Sequence, residues 1–178
     1  MPAVLAESAA SAGSSLQSVA DARRKPRAAP SLKGRALRCL ARREYSRAEL
    51  RRKLLAPDVD AAALDAVLDD LEAKQLLSDR RYAEVLARSK GGRYGVATLS
   101  RTLSQQGVGP EVAAAALQPL RVNERERALD IWRRRFGKPP ADLKERARQH
   151  RFLLARGFDG ATVSWVLRHA GSADDDEA

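Results

Sequence analysis

One pattern recurs three times along this chain, at shifts of 49 and 50 residues, and it confines the fold to a tandem array of small helical units. Residues 103–117 read LSQQGVGPEVAAAAL and residues 153–167 read LLARGFDGATVSWVL. Gly107 and Gly157 each follow a helical stretch, where a residue of positive φ ends a helix at low cost, and the next residue, Val108 or Phe158, can fold back onto it. Gly109 and Asp159 then serve as N-caps, with Pro110 where a first helical turn tolerates proline. The following helix carries Ala113, Ala116, Leu117 and Leu120 in one copy and Val163, Val166, Leu167 and Ala170 in the other, an i, i+3, i+4, i+7 spacing in both.

A shift of 49 residues toward the N-terminus gives a third copy: Leu54, Val59, the N-cap Asp60, then Leu64, Val67, Leu68 and Leu71. Asp58 stands where the other copies have glycine, a permitted residue for positive φ. The helix before each stop also has a readable start in two copies. Ser46 and Glu49 form an S-x-x-E capping box flanked by Tyr45 and Leu50 as a hydrophobic staple, and Tyr94, Gly95 and Leu99 hold the same places in the second copy. In the third copy the register fails at Lys144, and Pro139–Pro140 predict a helix over 141–156. A further helix opens each unit, over 32–44, 79–90 and 123–136, with Tyr82 and Trp132 coinciding as core anchors.

The expected architecture is therefore all-α: three three-helix modules at 32–75, 76–121 and 122–171, joined at about 72–78 and 118–122. Leu64, Val67, Leu68, Ala113, Ala116, Leu117, Val163, Val166 and Leu167 should face inward. A module of this size has little core of its own, so neighbours are expected to lend each other buried surface. Residues 1–31, rich in Ala and Ser, and the acidic residues 172–178 lack sustained periodicity and read as disordered tails. Aromatic residues at 4% and the dominance of Ala and Leu agree with helices over strands.

Charge narrows the partner. Residues 32–171 hold 29 Lys/Arg against 17 Asp/Glu, a net +12 that calls for a polyanion or an acidic protein surface. Cys39 is the single cysteine, so no intrachain disulfide or cysteine-based zinc site can form, and a reducing, cytoplasmic location is the expectation. No stretch reads as a membrane span or signal peptide.

Nothing in the chain reads as an active site. His150 and His169 lack metal-ligand spacing, and no phosphate-cradling GxxxxGK[ST] loop or G-x-S-x-G elbow occurs. Asp69 with Asp70 and Glu124 with Glu126 read as solvated helix charges. No cofactor is expected, and neither is an enzyme. The candidate contact residues are basic: Arg42, Arg43, Arg47, Arg51, Arg52, Lys53, Arg80, Arg81, Lys90, Arg93, Arg101, Arg133, Arg134, Arg148 and Arg151. Arginine forks match carboxylate and phosphate in a bidentate manner. Trp132, Trp165, Phe152 and Phe158 fall on apolar faces, which leaves too few aromatics for a stacking platform and makes any nucleic-acid affinity weak and salt-sensitive. Helix, glycine turn, helix also resembles a DNA-binding helix-turn-helix, although a structural turn explains the glycines without DNA.

The segments LARREYSRAELRRKL (40–54), LLSDRRYAEVLARSKGGRYG (76–95), LSQQGV (103–108) and HRFLLARGFDGATVSWVL (150–167) together resemble the RecX family of recombinase regulators, over about 32–171 and in order. That resemblance implies a tandem array of three-helix repeats lying in the helical groove of a RecA filament on single-stranded DNA and restraining its ATPase and strand exchange; a monomer is the expectation beside it. Two other readings stay open from the residues themselves: a direct DNA binder using helix-turn-helix modules, and a scaffold with no nucleic acid.

Overall fold

The structure, a computed structural model, describes residues 31–170. The expected tails lie outside the described residues except for Ser31. Among the described residues there are nine helices and no strand. The first unit holds α1 (Leu32–Leu40), α2 (Arg47–Leu54) and α3 (Ala61–Ala73); the second holds α4 (Asp79–Lys90), α5 (Val96–Gln105) and α6 (Pro110–Val122); the third holds α7 (Glu124–Arg135), α8 (Leu143–Ala155) and α9 (Gly160–His169).

Each unit has a separate hydrophobic core. Leu50, Leu64, Leu68 and Leu71 centre the first, Leu99, Leu103 and Leu117 the second, and Trp132, Leu153, Val163 and Val166 the third. The expected inward residues are buried, with Val67 and Ala116 partly so. Tyr82 and Trp132 are both buried core members, and the Trp132 indole N–H donates to Gln149 Oε1 at 2.7 Å. Leu77, assigned to the second module by sequence, packs in the first core. Neighbouring units bury surface against each other at the joints described below, while among the described residues no hydrophobic cluster crosses between them. Truncating Leu68, Leu117 or Leu167 to alanine is expected to cost about 2–5 kcal/mol. Denaturant unfolding checks this, and a loss below about 1 kcal/mol at all three would contradict core placement.

The repeated glycines stop helices as the sequence predicts. Val108 N–H reaches Leu103 O and Gly107 N–H reaches Ser104 O, with φ +76° at Gly107; Phe158, Leu153, Gly157 and Leu154 repeat the pattern with φ +85°. The first unit departs from it. Asp58 does not take positive φ, because Pro57 disfavours helical backbone at Ala56 and α2 ends early, at Leu54. Gln75 at φ 58° makes the corresponding turn after α3 instead, with Leu76 N–H on Leu71 O.

Three boundaries shift for local reasons. α1 stops at Leu40, and the chain is extended at Ser46 so that its hydroxyl can accept from Glu49 N–H. Residues 118–122, read as a connection, are the last turn of α6, which runs through Pro119. α8 begins at Leu143 because Asp142 caps it, accepting from Glu145 N–H at 2.6 Å while the Glu145 carboxylate accepts from Ala141 N–H.

The units meet through two joints of one design. In each, the glycine turn of one unit sits on the start of the second helix of the unit before it. Ser46 Oγ donates to Gln106 O at 2.6 Å, and a Cβ at Gly107 would lie 2.5 Å from Ala48 Cβ. At the next joint, Gly95 N–H donates to Arg156 O at 2.8 Å and Ala97 N–H to Gly157 O at 3.3 Å. Here a Cβ at Gly95 would collide with the Gly157 carbonyl, and one at Gly157 would lie 2.5 Å from Thr98 N.

Candidate polyanion-binding surface

The fifteen basic candidates divide by what they touch. Six are held by side-chain oxygens of the protein itself. Arg43 pairs with Glu49 at 2.5 Å and lies 3.7 Å over the Tyr45 ring, and Arg47 pairs with Asp69 and Glu72. Arg51 holds Asp65 with two hydrogen bonds of 2.7 and 3.1 Å. Arg52 donates to Gln106 Oε1, and Arg80 pairs with Glu84 one turn on. Arg81 pairs with Glu44 and donates to the carbonyls of Gln75 and Leu76, which pins the positive-φ turn between the first two units. Asp69 and Asp70, read as solvated charges, are thus partners, Asp70 pairing with Lys33 and Lys74.

These pairs leave a titration signature. The Arg51 guanidinium holds the Asp65 carboxyl below its ordinary 3.8, and hydrogen bonds from Lys33 and Lys74 do the same for Asp70. A carboxylate whose folded value is depressed stabilises the fold above its unfolded value and loses that contribution as pH falls through the folded value. Carboxyl-carbon NMR should therefore place both midpoints below 3.8, with the first unit weakening in acid. Midpoints at or above 3.8 would mean that these pairs do not persist in solution.

The other nine candidates are exposed and lack a carboxylate in ion-pair range among the described residues: Arg42, Lys53, Lys90, Arg93, Arg101, Arg133, Arg134, Arg148 and Arg151. Four of them line two clefts. A cleft of about 600 Å³ opens between the second and third units, lined by Arg88, Ser89, Gly92, Arg93 and Tyr94 on one side and Ile131, Arg134, Arg135, Phe152 and Arg156 on the other. Five arginines face it and, among the described residues, no carboxylate does. A second cleft, about 360 Å³ between α1 and α2, has Arg35, Arg38, Arg42 and Lys53 beside Cys39, Tyr45 and Leu54. Arg101 lines a hollow of mixed charge that also holds Glu124 and Asp159. Arg148 lies 5.6 Å from the Phe136 ring, and Lys90, Arg133 and Arg151 line neither basic cleft.

Sequence reasoning missed Arg35, Arg38, Arg88 and Arg156 in these clefts. One signal was present for Arg35 and Arg38, which have no acidic residue three or four positions away and hence no partner on their own helix. It also missed the joint behind the larger cleft. Arg127 donates to the carbonyls of Gly91, Tyr94 and Leu120, the last two at 3.0 and 2.9 Å. Burial pushes the Arg127 pKa down, and the charge of Glu124 offsets this in part. Glu124, read as solvated, accepts from Val96 N–H at 2.9 Å and so caps α5, a helix whose N-cap Gly95 has no side chain to do it.

No group of three or more metal-binding side chains lies together, and no helix is long and apolar enough to cross a membrane, among the described residues. The arrangement holds distributed positive charge on a folded array, suited to an extended anionic partner.

Comparison with known proteins agrees with the array. Three family descriptions match in chain order: "RecX, first three-helix domain" over 33–71, "RecX, second three-helix domain" over 78–117 and "RecX, third three-helix domain" over 123–167. Regulatory protein RecX of Leptothrix cholodnii is 50% identical over 145 residues, covering 82% of this chain and 92% of its own. The protein of that name from Ralstonia nicotianae is 44% identical over 85% of this chain and 95% of its own. The crystal structure of RecX from Lactobacillus salivarius shares the fold at a TM-score of 0.66 and 19% identity, covering 78% of this chain and 94% of that one. With all three domains matched in order, and with relatives this similar along most of the sequence, the chain belongs to the RecX family of regulatory proteins.

Proposed function

We propose that this protein binds the RecA filament on single-stranded DNA, along its helical groove, and lowers its ATP hydrolysis and strand exchange. It acts as a cytoplasmic monomer by occupying a surface, with no cofactor and no reaction of its own. The observation that carries the reading is the division among the arginines. Arg47 and Arg51 of α2 are consumed by internal carboxylates, whereas the larger cleft presents five guanidiniums without an acidic residue. Such a surface binds anions through charge-assisted forks. Several basic clefts on one array raise overall affinity when a long partner engages them together.

The test compares binding of the full chain to assembled RecA filament, free RecA and bare single-stranded DNA at one salt concentration. The filament should be bound most tightly. Equal affinity for bare DNA would favour the direct DNA-binding alternative, and preference for neither would favour a scaffold.

A further inference from the structure

We propose that the cleft between the second and third units is a subsite for a single-stranded nucleic-acid segment, with Arg127 as the positioning residue that assembles it. Phosphates are taken by Arg93, Arg134 and Arg135, and one base packs on the Tyr94 ring. The proposal rests on the filament reading above and deepens it, placing this cleft against the DNA strand and not against the recombinase.

Three observations carry it. The first is chemical: the cleft is cationic without a carboxylate, yet it is also lined by the exposed Tyr94 and the partly buried Phe152. An acidic peptide would use the guanidiniums and leave the rings idle. A nucleotide uses both, since phosphates pair with arginine and every base has a face to stack. Arg156 already lies against Phe152, 3.6 Å from the ring centroid, so planar groups pack here.

The second observation is size. A volume of about 600 Å³ exceeds what an inorganic anion fills, and the cleft is bordered at Gly92 by open space where a Cβ would meet nothing.

The third is construction. The cleft's walls come from two units with separate cores, so it exists only while their joint is closed. The turn that carries Arg93 and Tyr94 is held from below by the third unit: Arg127 takes the carbonyls of Gly91 and Tyr94, and Arg134 donates to Gly92 O at 3.3 Å. Arg127 does not itself line the open cleft and acts through this turn. A lysine there keeps the charge but cannot hold three carbonyls in one fork.

The experiment titrates the full chain with a fluorescein-labelled oligodeoxythymidylate by anisotropy over a potassium chloride series, with helicity verified by circular dichroism. Replacing Arg93, Arg134 and Arg135 by glutamine should flatten the salt slope by about 0.7 for each phosphate left unneutralised. Tyr94→Leu should weaken binding roughly tenfold with the slope unchanged, and Tyr94→Phe should keep wild-type affinity. Arg127→Lys should weaken binding and remove the effect of Tyr94→Leu in the double variant, whereas a general structural role would leave the two effects additive. An unchanged slope in the triple variant, a silent Tyr94→Leu, or additive effects would each overturn the proposal. If the cleft variants no longer inhibited RecA while keeping bare-strand affinity, the subsite would be overturned and the filament reading would stand. Weakened strand binding with undiminished inhibition would support the subsite and count against filament control through this cleft.

Discussion

Reversing Arg93, Arg134 and Arg135 to glutamate should reduce affinity for the RecA filament by roughly a hundredfold or more, while Arg51→Glu should change it little. The contrast follows from what each side chain is already doing. Arg93 and Arg135 have no carboxylate within reach among the described residues, and Arg134 donates only to carbonyl oxygens, so their charge is available to a partner. A hydrogen bond to a charged group contributes about 1.5–3 kcal/mol, so even partial removal at three positions exceeds the screening of one distant charge. Arg51 is held by Asp65 in a half-exposed pair. Its reversal places like charges together where water screens them, a minor cost to the first unit. Filament binding measured by interferometry checks both, and equal effects at the cleft and at Arg51 would mean that bulk charge, not the cleft, governs affinity.

Gly95→Ala should open the joint between the second and third units without unfolding either. The backbone at Gly95 has φ −73°, which alanine adopts freely, so the effect comes from steric overlap alone. The added methyl would run into the Gly157 carbonyl and lie 2.5 Å from Phe158 N, and these are backbone atoms that cannot rotate aside. Relieving such overlap costs about 1–3 kcal/mol or separates the surfaces. Separation is the expected route because the joint is polar and the cores on either side are independent. Hydrogen exchange should show reduced protection at the amides of residues 95 and 97, which donate to Arg156 and Gly157, with protection kept at Leu103 and Leu153 in the two cores. Retained protection at both joint amides would contradict the assigned packing.

Local rules that act within one unit were legible in the sequence. A glycine after an apolar-periodic run reads as a helix stop, and Gly107 and Gly157 are that. Their second role, seating each turn on the preceding unit, depends on Ala48 and Thr98, far away in the chain, and no periodicity announces it. The same joint explains the copy that breaks the pattern. The first unit has no unit before it among the repeats, so among the described residues no preceding unit seats its turn, and Asp58 after Pro57 does not take positive φ.

The candidate site was legible as charge but not as geometry. Arg47 and Arg51 share a face of α2, which reads as a basic patch until α3 brings Asp65, Asp69 and Glu72 against it. The rotation of one helix against another decides that pairing, and sequence does not state it. Arg88 lies in the last turn of α4 and Arg156 just beyond the end of α8, and only the joint makes them neighbours. Arg127 sits within a run of alternating charge, ERER, that gives no hint of a half-buried fork on three carbonyls.

Control of a nucleoprotein filament is read out by RecA ATP hydrolysis on single-stranded DNA as this protein is titrated to saturation. A saturable fall in hydrolysis is expected from the wild-type chain and not from the Arg93, Arg134 and Arg135 reversal, at concentrations where bare-strand binding is minor. Hydrolysis unchanged at saturating protein, with the chain bound equally to DNA without RecA, would contradict filament control.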